Sequence, residues 1–352
     1  MTRIKRYIFS QVLIFTVGVM MFFIGIDALI NLITLTEELP NASFLELIWL
    51  TLLATPQKMV FYFPVGVLLG TLVALGAMAT HSELVIFRSI GISLVRIYWM
   101  SLRPALLLCL LALAASEWLI PKTELMMVNT KSKIENPERV LSVQEGIWQK
   151  DGDMFFHIDL VEPNGRLLGI TQFSFDEQGQ LVETGKARMA SFDGEQWILH
   201  EDQRTFFANQ QIVNSLMARR AWATSLRPGL FQQLVFEPSQ LAPSKLYQHI
   251  QQVKQQGLRT DELELSLWNK LFQPVVVAIM VFIALAFIFG PLRSVSSSLR
   301  IVTGIVAGLM YTYSQEFFTR VGLVYQVEPL ISVLLPLILF GLFGAFLIRR
   351  AG

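Results

Sequence analysis

The sequence predicts an α-helical membrane protein with six transmembrane helices and an all-β, jelly-roll-like domain inserted between helices three and four. Three observations predict it. Three long apolar runs lie before residue 120 and three after residue 264, with a polar stretch between them. The composition is that of a membrane chain, 53% hydrophobic and 16% charged. The polar stretch changes to short alternating segments separated by Asn, Asp and Gly, which is the pattern of antiparallel strands. The expected layout is helices 1–3 in residues 1–120, a β-domain with flanking connectors in 121–264, and helices 4–6 in 265–352.

A helix needs about 20 mostly apolar residues to cross roughly 30 Å of hydrocarbon. The runs 7–34, 59–79, 97–120, 265–290, 301–318 and 329–348 meet that need. The first is too long for a removable signal peptide and lacks its small-residue cleavage site. Residues 44–55 are also apolar. Joined to the second run they would make a helix of roughly 54 Å, so Pro56 and Pro64 are expected to break or kink it.

Orientation follows from the basic residues. Arg3, Lys5 and Arg6 precede span one, Arg88 and Arg96 separate two from three, Arg293 and Arg300 separate four from five, and Arg349 and Arg350 end the sequence. Alternating spans put all of these on one side. The short loops of the other side carry Glu37, Glu38, Glu46 and Glu328 against Lys58 and Arg320. Basic loops stay in the cytoplasm, so the expectation is two cytoplasmic termini and an exported insert. The single cysteine, Cys109, lies in an apolar run and has no intrachain partner.

Within the insert, about 144–237, the strand candidates are MFFHIDLV, LLGITQFSF, ARMASFDG, EQWILHED and RTFFANQQIV. Turns are expected at Pro163-Asn164-Gly165 and at DEQGQ. A sandwich or jelly roll buries such strands and limits open edges. Residues 240–256 read as a helix that starts after Pro243, stops at Gly257 and returns the chain to the membrane.

Much chemistry is absent from the sequence. No GxxxxGK[ST] loop offers to cradle nucleotide phosphates. HExxH, GxSxG and Cys/His clusters are missing, so neither zinc nor a serine nucleophile has a motif to build on. The four histidines, His81, His157, His200 and His249, are scattered. A net charge of +1 announces no nucleic acid. Asp27 falls roughly 28 Å along the first span from Ile8, near the outer boundary, where hydration or a hydrogen bond to another span suits it better than catalysis.

Between spans two and three, residues 82–91 read as a short helix. Ser82 is placed to cap it, Glu83 is favourable in its first turn, and Gly91 closes it. Leu84, Val85, Ile86 and Phe87 make a dense apolar patch beside Arg88. A helix lying on the membrane surface would use the same residues, and so would a docking helix for a cytoplasmic partner, with Glu83 as mate for a partner arginine.

The sequence resembles the LptF/LptG permeases of the lipopolysaccharide exporter. The resemblance is carried by RYI at 6–8, SELVIFRSIGIS at 82–93, SEWLIP at 116–121, QEGIWQKDG at 144–152, LWNKLFQP at 267–274 and FIFGPLRSV at 287–295, in collinear order. The last two favour the LptG branch. The resemblance implies a non-catalytic permease subunit in the inner membrane of a Gram-negative bacterium, with its β-domain in the periplasm. It implies an LptF-like permease as partner, with an LptB-like ATPase dimer, an LptC-like single-span protein and a periplasmic LptA-like bridge. The chain itself would hold no cofactor, since ATP and Mg are bound by the ATPase. On this reading Ser82, Glu83, Leu84, Val85, Phe87 and Arg88 couple to the ATPase. Lipopolysaccharide leaves the outer leaflet through a cavity between the permeases.

Such a ligand needs apolar walls and cations at the outer rim. Lys58, Phe61 and Phe63 at the start of span two, Lys122, Lys131 and Lys133 beyond span three, and Lys270 at the start of span four are the candidates. Lys131 matches a basic position of the family. A second such position is Val128 here, and Lys133 stands near it. Interfacial lysines also snorkel to lipid headgroups without binding one specifically. Two other readings share the overall pattern, the sister LptF-type subunit and a non-transporting membrane scaffold or signalling protein with a periplasmic binding domain.

Overall fold

A computed structural model describes residues 2–135, 142–152, 154–161, 166–176, 178–208, 211–224, 237–255, 259–290 and 295–351. The first helical group comprises α1 (Thr2–Glu38), α2 (Phe44–Thr80), the short α3 (Glu83–Ser89), α4 (Leu94–Ala114), a π-helical turn (Ala115–Leu119) and α5 (Ile120–Glu135). Six strands follow: β1 (Ser142–Asp151), β2 (Met154–Val161), β3 (Leu167–Phe175), β4 (Leu181–Phe192), β5 (Trp197–Ala208) and β6 (Gln211–Trp222). The second group comprises α6 (Pro243–Gln255), α7 (Asp261–Leu271), α8 (Gln273–Phe289), α9 (Ser297–Val324) and α10 (Pro329–Ala351).

The central helix is α2. It is apolar all round, which is the signature of a helix with neighbours on every side. Its start is fixed by a capping box. Ser43 Oγ accepts from the Glu46 amide, and the Glu46 carboxylate accepts from the Ser43 amide at 2.8 Å, which satisfies two amides that a helix start leaves unpaired. Glycines let its neighbours approach. A Cβ on Gly70 would lie 2.3 Å from Thr16 Cα of α1, and one on Gly66 would meet the Met20 sulfur. On the opposite neighbour, Gly304 and Gly308 of α9 receive Leu69, Leu72 and Val65. Small residues at helix contacts are how helices associate where lipid removes the hydrophobic drive.

Of the break or kink expected at Pro56 and Pro64, the break does not occur, for both prolines lie inside one continuous helix. At 37 residues, α2 is about 55 Å long and so longer than a bilayer core. Its first turns pack outside the main core, where Leu47 and Leu50 bury against Leu35 of α1 and Leu39 just beyond its end.

Among the described residues, four helices are long and apolar enough to cross a membrane, or five if α7 and α8, bent by 52°, form one span. Expected span five lies within α9. With 28 residues α9 is long enough to cross, but its later turns are diluted by polar residues. One of them, Gln315, donates to Asn269 of α7 at 3.0 Å, a polar link between helices.

MFFHIDLV and LLGITQFSF coincide with β2 and β3. RTFFANQQIV, read as one strand, instead ends β5 and begins β6. The DEQGQ turn is present, with Asp176 accepting from the amides of Gln178 and Gln180. At the β4–β5 turn the amides of Gln196 and Glu195 hold the Asp193 carboxyl below its usual range. The turn expected at 163–165 and the stop at Gly257 lie outside the described residues.

All neighbouring strands are antiparallel and follow chain order. The described connections are therefore hairpins, whereas a jelly roll crosses between two sheets. The sheet is nevertheless strongly rolled. Four strand spacings separate β2 from β6, about 19 Å if flat, yet the rings of Phe156 and Trp222 are 5.1 Å apart. Thr224, just after β6, donates to Asp151 at the end of β1 at 2.6 Å. The enclosed face buries Phe156, Ile158, Ile170, Leu199, Trp197 and Trp222. A buried ionic group continues it. Arg204 donates to Asp202 at 2.9 Å and to Glu183 at 2.6 Å, and Gly185 leaves room for its guanidinium.

Candidate functional site

The rim candidates gather at the end of the helices where the chain enters and leaves the β-insert. Asp27 and Lys58 face each other there from α1 and α2. Lys58 Nζ stands 3.7 Å from Asp27 Oδ1, with the lysine 42% and the aspartate 14% exposed. Tyr62, one turn further along α2, donates its hydroxyl to the same oxygen at 2.8 Å and stacks on Phe23. Asp27 thus makes the hydrogen bond to another span that its position suggested, and Tyr62, at the start of span two, is its partner.

Lys131 is also paired, with Glu38 of α1 at 2.6 Å. Lys122 is exposed. Lys133 lies on α5, but its side chain is outside the described residues. Phe61 is exposed, whereas Phe63 is buried in the helical core. Being two positions apart on a helix, the two rings point to different faces, so a lipid-facing role suits Phe61 and a packing role suits Phe63.

Lys270 departs most from expectation. It is buried and donates to the Leu241 carbonyl at 2.6 Å. A carbonyl before α6 holds this ammonium and keeps it off a headgroup surface. Nearby, the Glu117 carboxylate of the π-turn accepts from both the amide and the hydroxyl of Ser244. That is an N-cap supplied by another helix, placed where the helix dipole favours negative charge. Leu246, His249 and Ile250 bury the inner face of α6, and burial pushes the His249 imidazole below its ordinary range. SEWLIP contains Glu117, but nothing in its spacing announced an α6 partner 127 residues away.

Glu124 of α5 was also missed. It is 1% exposed, and neither carboxylate oxygen has a hydrogen-bond partner. Among the described residues no group of three His, Cys, Asp or Glu side chains could hold a metal.

At the opposite end, α3 is closed as expected. Gly91 adopts φ +85, its amide bonds to the Arg88 carbonyl, and the Ile92 amide reaches the Phe87 carbonyl. These are the two bonds of a Schellman motif. Ser82 does not cap the helix. It is left-handed, with φ 61, and its side chain makes no capping bond. Glu83 Oε1 accepts from the Tyr7 hydroxyl at 3.2 Å, tying α3 to α1. The apolar patch divides between two faces. Leu84 is buried and Phe87 packs against the core, while Val85, Ile86 and Ile90 are each more than half exposed. Arg88 is exposed beside them. Near the end of α2, Arg300 of α9 donates to the Gly76 carbonyl at 2.8 Å and to the Thr80 hydroxyl, tying α9 to α2.

The family model for lipopolysaccharide export system permease LptF/LptG matches residues 6–350. The chain belongs to this family. It is 35% identical over 303 residues to the lipopolysaccharide export system permease protein LptG of Escherichia coli (strain K12), covering 85% of this chain and 84% of the relative. It is 32% identical over 341 residues to the protein of the same name from Haemophilus influenzae, covering 96% and 95%. The family match takes in both α3 and the lysine rim.

Proposed function

We propose that this chain is the LptG-type permease subunit of a lipopolysaccharide exporter in the inner membrane of a Gram-negative bacterium. The whole-length match to the LptF/LptG family carries this reading. In it the chain crosses the membrane six times, with α7 and α8 as one bent crossing and α9 as the least apolar one. The arginine-rich end faces the cytoplasm and the rolled sheet lies in the periplasm.

The exposed ridge of Val85, Ile86 and Ile90 is then the docking surface for an LptB-like ATPase, whose ATP and Mg supply the energy. An LptF-like permease, an LptC-like single-span protein and an LptA-like bridge complete the assembly. The exposed apolar surface of the spans meets acyl chains, and the lysine rim meets the phosphates. Lys58 and Lys131 are held by Asp27 and Glu38 in partly exposed pairs. Such pairs contribute about 0–1 kcal/mol, so a phosphate can displace either carboxylate at little cost. Lys122 is available without displacement, and Lys133 belongs to the same rim by sequence position.

The test is photo-crosslinking in the assembled complex in membranes. A crosslinker replacing Phe61 or Lys122 should capture lipopolysaccharide, and capture should fall when ATP is supplied. One replacing Lys270 should capture the α6 connector instead. Absence of lipid at both rim positions, in a complex that still hydrolyses ATP, refutes the assignment of this rim as the lipid site.

A further inference from the structure

Two of the helical paths are interrupted by proline in the same way. Pro121 has no amide hydrogen, so the Glu117 carbonyl, four residues before it, loses the donor that a regular helix would supply. The chain answers with the π-turn, in which the Ile120 amide bonds to the Ala115 carbonyl. Pro274 stands in the same relation to Lys270, and there α7 gives way to α8 at an angle of 52°. Such irregularities are where helices bend and where hinges are found.

At each break, the residue four positions before the proline sends its side chain to the start of α6. Glu117 accepts from the Ser244 amide at 3.2 Å and from the Ser244 hydroxyl. Lys270 donates to the Leu241 carbonyl at 2.6 Å. Leu241 and Ser244 are three positions apart, so a single turn of backbone is gripped from two helices. The two grips differ in their surroundings. Ser244 is exposed, and its bonds can exchange for water at modest cost. Lys270 and Leu241 are buried, where an ammonium without an acceptor would be costly. The π-turn continues into α5, which leads to the sheet, and α6 brings the chain back from it. The gripped turn therefore joins the bases of the two segments that carry the β-insert.

We propose that residues 241–244 are a shared pivot: they hold the bend at the π-turn and the bend between α7 and α8 together, so that a displacement of α6 changes both angles at once. The Lys270 grip keeps the pivot on α7, and the Glu117 grip is the one that opens. A movement of the β-insert then reaches two spans through one turn of backbone, as hinge motions are absorbed by a few residues at the ends of elements. The inference rests on backbone geometry and hydrogen bonds, and does not depend on what the chain transports.

The experiment is pulsed electron spin resonance on the assembled complex in nanodiscs. Spin labels replace Val95 of α4 and Met126 of α5, both exposed, after Cys109→Ser. A straight helix would place these positions about 46 Å apart, and the measured distance shortens as the path bends at the π-turn. Glu117→Ala should broaden the distance distribution about twofold, since two charge-assisted hydrogen bonds go at once. Ser244→Ala, which removes only the hydroxyl, should broaden it less, and Glu117→Gln, which keeps an acceptor, should stay near wild type. Lys270→Met is the deciding variant. It lies on the other helix and should broaden the same distribution, because its hold reaches the π-turn through α6. A distribution unmoved by Glu117→Ala and Ser244→Ala means that the Glu117 grip sets no angle. Broadening by either of these that Lys270→Met does not reproduce means two separate caps, and each of these results overturns the proposal.

Discussion

At the scale of single residues, glycine at the α1–α2 contact has the clearest physical requirement. A Cβ at Gly70 would meet the Thr16 backbone, which has no rotamer with which to yield. Overpacking of this kind typically costs about 1–3 kcal/mol. Gly70→Ala should therefore lower the unfolding temperature of the detergent-solubilised protein by several degrees. Gly18→Ala, with nothing within 4 Å, should be neutral or slightly stabilising because alanine favours helix. Equal effects of the two would mean that the close approach is not a determinant of stability. The same scale explains why the partner of Lys270 was not legible in the sequence. A lysine at a span boundary carries a signature of charge and position, and nothing in the sequence revealed that Leu241 supplies the oxygen that receives it.

At the scale of elements, α3 shows how seven residues combine anchoring with display. Leu84 is 3% exposed and Ile86 57%, although both are branched aliphatic side chains in the same helix. If the ridge docks the ATPase, Ile86→Glu should abolish co-purification of the ATPase while leaving the unfolding temperature unchanged. Leu84→Glu should instead destabilise the permease itself, by the several kcal/mol that burying an unpaired charge costs. A wild-type yield of ATPase with Ile86→Glu would remove the docking assignment. The sequence reading found the helix, its closing glycine and its apolar cluster. It could not divide the cluster into inward and outward halves, because a helix this short has two apolar turns and no polar face to orient it.

At the scale of the whole molecule, the number of crossings depends on α9. Its hydropathy falls short because Gln315, Glu316 and two tyrosines share its later turns. Gln315 bonds to Asn269, and Tyr311 is buried against Phe340, so part of this polarity faces protein and not lipid. A crossing helix predicts that cysteines introduced at Ser298 and Gln326 react with an impermeant thiol reagent from opposite sides of the membrane. Cysteines at Arg88 and Gln178 should do the same across α4. The native Cys109 is buried and should stay silent. Reaction of the α9 pair from one side would reduce the crossings and reverse the placement of α10.

The sequence by itself determined the apolar runs, the β-insert between them, the strands of β2 and β3, and the family. These follow from local periodicity, from composition and from motifs read along the chain. The tertiary structure alone decided which charges are committed. Lys58 and Asp27 are 31 positions apart, Lys131 and Glu38 are 93, and Arg204 draws Asp202, Glu183 and Gln172 from three strands. It also decided that α2 runs through both of its prolines and that the sheet rolls until β2 touches β6. Such outcomes are set by the free energy of burying a group beside a partner distant in sequence, and no local pattern contains that term.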